Sequence, residues 1–206
     1  MAGELAVKPA SAASWTEVAG REALLVQRCA AGDEDASTML VDEHHRMVFG
    51  LASHLLGDRD EALDLTQEVF LRVFRTIHRF RGQSALRTWI YRITINQARN
   101  RQRWWRRRHQ GEQVSLDAHL QRCGDLALRT DVAAPDRMFA SHELAGRLRA
   151  AIERLPFEQR TAIVLRELEG LSYEEIAFSL GLAIGTVKSR LTRARQALRA
   201  ELGALR

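Results

Sequence analysis

Apolar positions recur at helical spacing through most of this chain, and the clearest period lies near its C-terminal end. Tyr173, Ile176, Ala177 and Leu180 fall at i, i+3, i+4 and i+7, so one stripe of a helix carries all four. Ser172 precedes the stripe and Glu175 follows three residues later, the spacing at which hydroxyl and carboxylate each satisfy a free amide of the first turn. Gly181 suits the left-handed residue that closes a helix, and Gly185 with Thr186 supplies a second turn residue and a new N-cap. Val187, Leu191, Ala194 and Leu198 then share one face of a further helix. Its other positions hold Lys188, Ser189, Arg190, Thr192, Arg193, Arg195 and Arg199, with no acid before Glu201. Two helices around a tight turn, the second basic on its outer side, have the shape and charge to enter a DNA major groove. A merely solvated helix face usually mixes both signs of charge.

The earlier chain has the same helical period. Residues 1–20 are rich in Ala, Ser and Gly without a sustained repeat and are expected to form a flexible tail. A short helix is predicted over 21–31 and a longer one over 36–56, with Leu40, His44, Met47, Val48, Leu51 and Leu55 buried and Gly57 as terminator. Asp58 then caps a helix over 58–80, with Glu61 as its reciprocal partner. Ala62, Val69, Val73 and Ile77, widened by Phe70 and Phe74, face its core. Glu61, Asp64, Glu68, Arg72 and Arg75 form a ridge running from acid to base, an order that also suits the helix dipole. After a loop at Arg81, Gly82 and Gln83, Ser84 is the expected N-cap of the next element. Trp89, Tyr91, Ile93 and Ile95 alternate there as in a strand, whereas Leu86, Trp89, Ile90 and Ile93 fit a helix. No pairing strand is evident nearby, so helix is preferred, with Thr88, Arg92, Asn96, Arg99 and Arg103 along its polar face.

Residues 109–135 keep no clean period and read as a flexible linker. Beyond them Phe139, Leu144, Leu148 and Ile152 define a helix over 136–154, which Pro156 ends. A helix over 157–169 buries Ala162, Ile163 and Leu165 or Leu168, and Gly170 leads into the helix-turn-helix. The expected fold is therefore all-α: two small helical domains, 21–108 and 136–206, joined by a flexible linker, the second containing the helix-turn-helix. A chain of 206 residues is long enough for two such cores.

Charge sharpens this picture. The formal net charge is +5 and the sequence pI is near 10.0, but placement matters more than excess. Arginines gather over 99–108 and after Thr186, while acids gather over 33–35 and 58–68. Arg99, Arg101, Arg103, Arg106, Arg107 and Arg108 surround Trp104 and Trp105, a grouping able to neutralise phosphates and stack on an exposed base, or equally to border two core indoles. Cys29 and Cys123 lie far apart without a CxxC spacing, which points to neither a disulfide framework nor a zinc site and fits a reducing cytoplasm. The adjacent His44 and His45 face two directions on a helix and are expected at the surface rather than on a metal. With no nucleophile-base constellation and no phosphate-binding glycine loop, neither catalysis nor a metal or cofactor is expected. No apolar run approaches the roughly 20 residues needed to span a bilayer, so direct membrane insertion is not expected.

Four motifs in order carry a family resemblance: LLGDRDEALDLTQEVFLRVF from Leu55, FRGQSALRTWIYRITINQARN from Phe80, LPFEQRTAIVLRELEGLSYEEIA from Leu155, and GTVKSRLTRARQAL from Gly185. Together they resemble the extracytoplasmic-function (ECF) sigma factors of bacterial RNA polymerase, over about 39–108 and 136–202. The resemblance implies a dissociable initiation factor, monomeric when free, that recruits core RNA polymerase to promoter DNA and helps melt it. It assigns Asp64, Gln67 and Glu68 to the clamp helices of the largest polymerase subunit, and the second domain to the flap region as well as to DNA. It assigns Phe80, Arg81, Gln83 and Ser84 to capture of a minus-ten base, and Asn96, Arg99 and Asn100, with Arg92 and Arg103 on the adjoining face, to that strand. Thr186, Lys188, Ser189, Arg190, Thr192 and Arg193 would read the minus-thirty-five element. The linker acids Asp117, Asp125 and Asp131 would mimic RNA phosphates. The resemblance further implies an anti-sigma partner, soluble or membrane-bound, for a cytoplasmic protein. One departure is Ala183, where many relatives carry proline before the turn, which leaves the turn less rigid. Two rival readings stand beside this one: a stand-alone helix-turn-helix regulator and an RNA-binding protein using 99–108.

Overall fold

The computed structural model describes residues 12–108 and 135–203, with side-chain surroundings described for 20–108 and 145–203. These residues form eight α-helices: α1 (Ala12–Ala30), α2 (Glu34–Leu56), α3 (Arg59–Thr76), α4 (Leu86–Arg108), α5 (Pro135–Arg154), α6 (Phe157–Ile163), α7 (Tyr173–Leu180) and α8 (Ile184–Gly203). A single 3-10 turn, Ile77–Arg79, follows α3, and a π-helical turn, Val164–Leu168, extends α6. Among the described residues there is no strand, so the helical period of 86–95 prevails over its local alternation. The reason is burial on one helical side: Leu86, Ile90, Tyr91, Ile95 and Ala98 all lie in the core.

Local chemistry sets most boundaries. Asp33 caps α2 by accepting from the Ala36 amide at 3.0 Å, and Gly57 ends that helix at φ 74°, where a β-carbon would be strained. The Asp58 carboxylate accepts from the amides of Asp60 and Glu61. Ser172 and Glu175 form the predicted reciprocal box, at 3.1 Å and 2.8 Å.

Several expectations are corrected. Residues 12–20 belong to α1 rather than to a tail, because the Ala-rich segment continues the register of 21–30 and interior glycine costs a helix only about 1 kcal/mol. Glu61 does not return to the Asp58 amide; its carboxylate meets Arg101. Ser84 does not cap α4, since its hydroxyl donates to the Ala85 carbonyl while Glu22 of α1 accepts from the Leu86 amide at 3.2 Å. Helix α8 starts two residues before Thr186, with the Ala183 carbonyl accepting from the amides of Thr186 and Val187. Leu148 and Leu168 are exposed, whereas Ile152 is buried in α5, and Ala162, Ile163 and Leu165 are buried in α6 and the π-helical turn. His44 is buried, as its place in the stripe of α2 predicts and against its placement in a surface pair with His45, and burial depresses its pKa. His45 remains exposed and stacks with Phe49 and Phe70. Of the linker expected over 109–135, Pro135 starts α5, while 109–134, with Cys123 and its acids, lies outside the described residues.

In the packing, α2, α3 and α4 contact one another, α1 lies along α2 and the 3-10 turn, and α8 packs on α5, α6 and α7. Leu40, Leu51, Leu65, Val69 and Ile90 fill the first core; Leu165, Leu171, Ile176, Val187 and Leu191 fill the second. Helix α4 also packs on α7, so the two cores join into one buried cluster.

Candidate functional site

Three surfaces hold the candidate residues. On α3, Asp64, Gln67 and Glu68 are all exposed on the side opposite Ala62, Leu65, Val69 and Val73. Leu71 extends the same face and is 55% exposed. Sequence reasoning passed over Leu71, although a large apolar residue three positions after Glu68, off the core stripe, was its signal. Glu68 is held from the side by Arg101 of α4, whose guanidinium reaches Glu61 Oε2 and Glu68 Oε1, each at 2.8 Å.

The second surface begins at the loop before α4. Phe80 is half-buried and packs its ring on Trp89, with centroids 5.4 Å apart, while Arg81 and Gln83 project from the loop and Ser84 is half-buried. Asn96, Asn100 and Arg103 are exposed along α4. Arg92 is exposed but places its guanidinium over the Phe178 ring of α7, 5.6 Å from the centroid. Arg99 is only 21% exposed; it pairs with Glu158 Oε1 of α6 at 3.3 Å and lies 6.0 Å from the Phe157 centroid. At the helix end Trp104 is 49% exposed, with Arg108 over its ring, whereas Trp105 is half-buried. The two indoles thus divide between the sequence's alternatives.

The third surface is the helix-turn-helix. Gly181 holds φ 65°, which closes α7 and permits the short connection to α8. Thr186, Lys188, Ser189, Thr192 and Arg193 are exposed on one side of α8, with Val187, Leu191 and Ala194 buried on the other. Arg190 is not a free reader. It is 21% exposed and pairs with Glu158 Oε2, so one carboxylate holds Arg190 and Arg99 together. Arg195 likewise binds Glu167 of the π-helical turn at 2.7 Å.

Further polar contacts join the two helical groups. The buried Tyr91 hydroxyl donates to Glu169 at 2.6 Å; burial first, and that carboxylate second, push its phenol pKa above the usual value. The Ser179 hydroxyl donates to the Thr88 carbonyl at 3.3 Å, and Arg160 donates to the Leu55 carbonyl at 3.0 Å. No group of three His, Cys, Asp or Glu side chains among the described residues could hold a metal ion.

An acidic helix face, an arginine-rich helix and a basic helix-turn-helix are the parts that the four motifs led one to expect, and comparison with known proteins finds the same family. The family sigma-70 region 2 matches residues 40–122 and the family sigma-70, region 4 matches 145–198. The RNA polymerase sigma-H factor of Pseudomonas aeruginosa is 40% identical over 174 residues, 84% of this chain and 90% of that protein. This chain belongs to the ECF sigma factors. The ECF RNA polymerase sigma-E factor of Escherichia coli is 39% identical over 85% of the sigma factor described here and 91% of its own length. Two solved structures resemble it. The sigma factor RpoE of Bartonella quintana, in complex with the anti-sigma factor NepR, has a TM-score of 0.62 and 28% identity, covering 82% of this chain and 98% of that one. CnrH in complex with the cytosolic domain of CnrY has a TM-score of 0.63 and 25% identity, covering 89% and 97%. As a sigma factor, the protein acts in promoter-specific transcription initiation with core RNA polymerase and DNA. Among its described residues no helix is long and apolar enough to cross a membrane.

Proposed function

We propose that this sigma factor divides its work by surface: α3 docks core polymerase, α4 with the preceding loop engages the minus-ten element, and α8 reads the minus-thirty-five element. The observation that carries this reading is the separation of exposed charge, with Asp64 and Glu68 on α3 and Arg103, Lys188 and Arg193 on the helices assigned to DNA. Asp64, Gln67 and Glu68 offer carboxylate and amide acceptors to arginines of the clamp helices, and Leu71 supplies the adjoining apolar contact. Phe80, Arg81, Gln83 and Ser84 receive a flipped minus-ten base, whose lost stacking is offset by new contacts. Asn96, Asn100 and Arg103 follow that strand, and Thr186, Lys188, Ser189, Thr192 and Arg193 face the second element. Arg92, Arg99 and Arg190 join them once released from Phe178 and Glu158.

The functional domains span about 21–108 and 136–206, the first holding minus-ten recognition and the second also reaching the flap. The protein works in the cytoplasm as a binding factor rather than an enzyme. An anti-sigma partner controls it by covering these surfaces; the complex of the Bartonella relative with NepR supports this reading.

Charge reversal tests the division. Asp64→Arg with Glu68→Arg is expected to weaken core-polymerase binding while leaving helicity and binding to isolated minus-thirty-five duplex intact; unchanged polymerase affinity excludes the α3 surface. Transcription of a pool of genomic fragments by core polymerase with the added protein should yield new starts preceded by a shared two-part promoter.

A further inference from the structure

Arg101 stands in the densest run of arginines in the chain, where each member has the same apparent claim on DNA phosphate. Its actual direction differs. Its side chain is 19% exposed and turned from α4 back onto α3. Nη1 lies 2.8 Å from Glu61 Oε2 and donates to the Glu61 carbonyl at 2.9 Å, while Nη2 reaches Glu68 Oε1 at 2.8 Å. Glu61 and Glu68 are seven residues apart on one side of α3, roughly 10 Å along its axis, and a single planar guanidinium spans the gap between their side chains.

The consequence falls on Glu68. An exposed glutamate has several free rotatable bonds, and fixing them on binding costs affinity. Here Oε1 is already held, which leaves Oε2 of a 49% exposed carboxylate for an outside donor. Asp64 lies between the two glutamates along the helix, so the clamp also sits beside the second acid of the docking face. We propose that Arg101 is a positioning residue for core-polymerase binding: it pre-orients Glu68, and through Glu61 it braces the acidic face of α3, instead of contacting promoter phosphate. The inference rests on the assignment of α3 to polymerase and is additional to it.

The test is a double-mutant cycle in the full-length protein, with Kd for core polymerase measured for Arg101→Ala, Glu68→Ala and the pair. Glu68→Ala tests the docking face and Arg101→Ala the positioning role. Each single change is expected to weaken binding by about tenfold, and Arg101→Ala should add little once Glu68 is gone, the pattern of coupled neighbours. Arg101→Lys keeps the charge but cannot bridge both glutamates, so partial rescue is expected. Arg101→Gln, which retains most of the stem, replaces Arg101→Ala if the latter loses helicity. Binding to a minus-ten fork-junction DNA is read in parallel across salt concentrations. The proposal predicts an unchanged salt slope, whereas a phosphate contact would lower the slope by about one. A loss with Glu68→Ala but none with Arg101→Ala or Arg101→Gln overturns the positioning role and leaves the docking face standing. No loss with either residue removes both, and a reduced salt slope assigns Arg101 to DNA.

Discussion

At the scale of single residues, neighbouring arginines have different surroundings. Arg193 points to solvent from α8, whereas Arg190, three residues earlier, is drawn to Glu158. Arg193→Ala is therefore expected to weaken minus-thirty-five binding by about 1–3 kcal/mol, with the loss concentrated at one base pair in a panel of promoter variants. An equal loss on every variant would mark Arg193 as a phosphate anchor. His44 supplies a different prediction. Burial holds its folded pKa below the ordinary 6.5, with Glu43 and Glu22 opposing that shift and Arg87 adding to it. The unfolded state then binds more protons than the folded one as pH falls below 6.5, so this histidine lowers stability progressively on acidification, until pH passes its folded pKa. His44→Leu should flatten that part of the stability profile, as followed by urea melts at several pH values. An unchanged slope would assign the pH dependence elsewhere, with the half-buried His54, also depressed by burial, as the next group to replace.

At the scale of elements, the helix-turn-helix depends on its two ends as much as on its stripe. Ser172→Ala removes the acceptor for the Glu175 amide and is expected to cost about 1 kcal/mol of stability. Gly181→Ala meets no neighbouring atom but forces a side chain into the left-handed region at φ 65°. A loss of about 1 kcal/mol is expected from conformation alone, read as a lower urea midpoint with unchanged m. A change in the angle of α8 would appear instead as lost affinity for the minus-thirty-five element at full stability. These ends were legible in the sequence because capping is local chemistry. The start of α4 was not, because its first amide is satisfied by Glu22, 64 residues away.

At the scale of the whole molecule, the contacts between α4 and the second helical group occupy part of the surface assigned to DNA. Arg92 covers Phe178, and Glu158 holds Arg99 with Arg190, so on the proposed division of surfaces promoter engagement separates these pairs. Tyr91→Phe deletes the hydroxyl that donates to Glu169 without touching an assigned DNA residue, and a hydrogen bond to a charged group contributes about 1.5–3 kcal/mol. The variant should increase the radius of gyration of the free protein in solution scattering and strengthen its binding to minus-ten single strand. Its affinity in the assembled holoenzyme should change less on the proposed reading, in which docking on polymerase draws the two groups apart. Equal dimensions and equal DNA binding would mean that this contact does not hold the arrangement.

By itself, the sequence determined the helical period of the elements, the ends at Gly57, Asp58, Ser172 and Gly181, most of the apolar stripes and the family. Each rests on residues within a few turns of one another, or on motifs whose order is written in the chain. Partner choice among charged side chains was decided only by tertiary structure. Glu61 was expected to cap its own helix and instead binds Arg101; Arg99 and Arg190 were expected on DNA and share Glu158; Tyr91 finds Glu169 across the two groups. Arginine and glutamate have long side chains that reach whatever the fold brings near, and that proximity depends on how α4 packs against α3, α6 and α7, which no local pattern encodes.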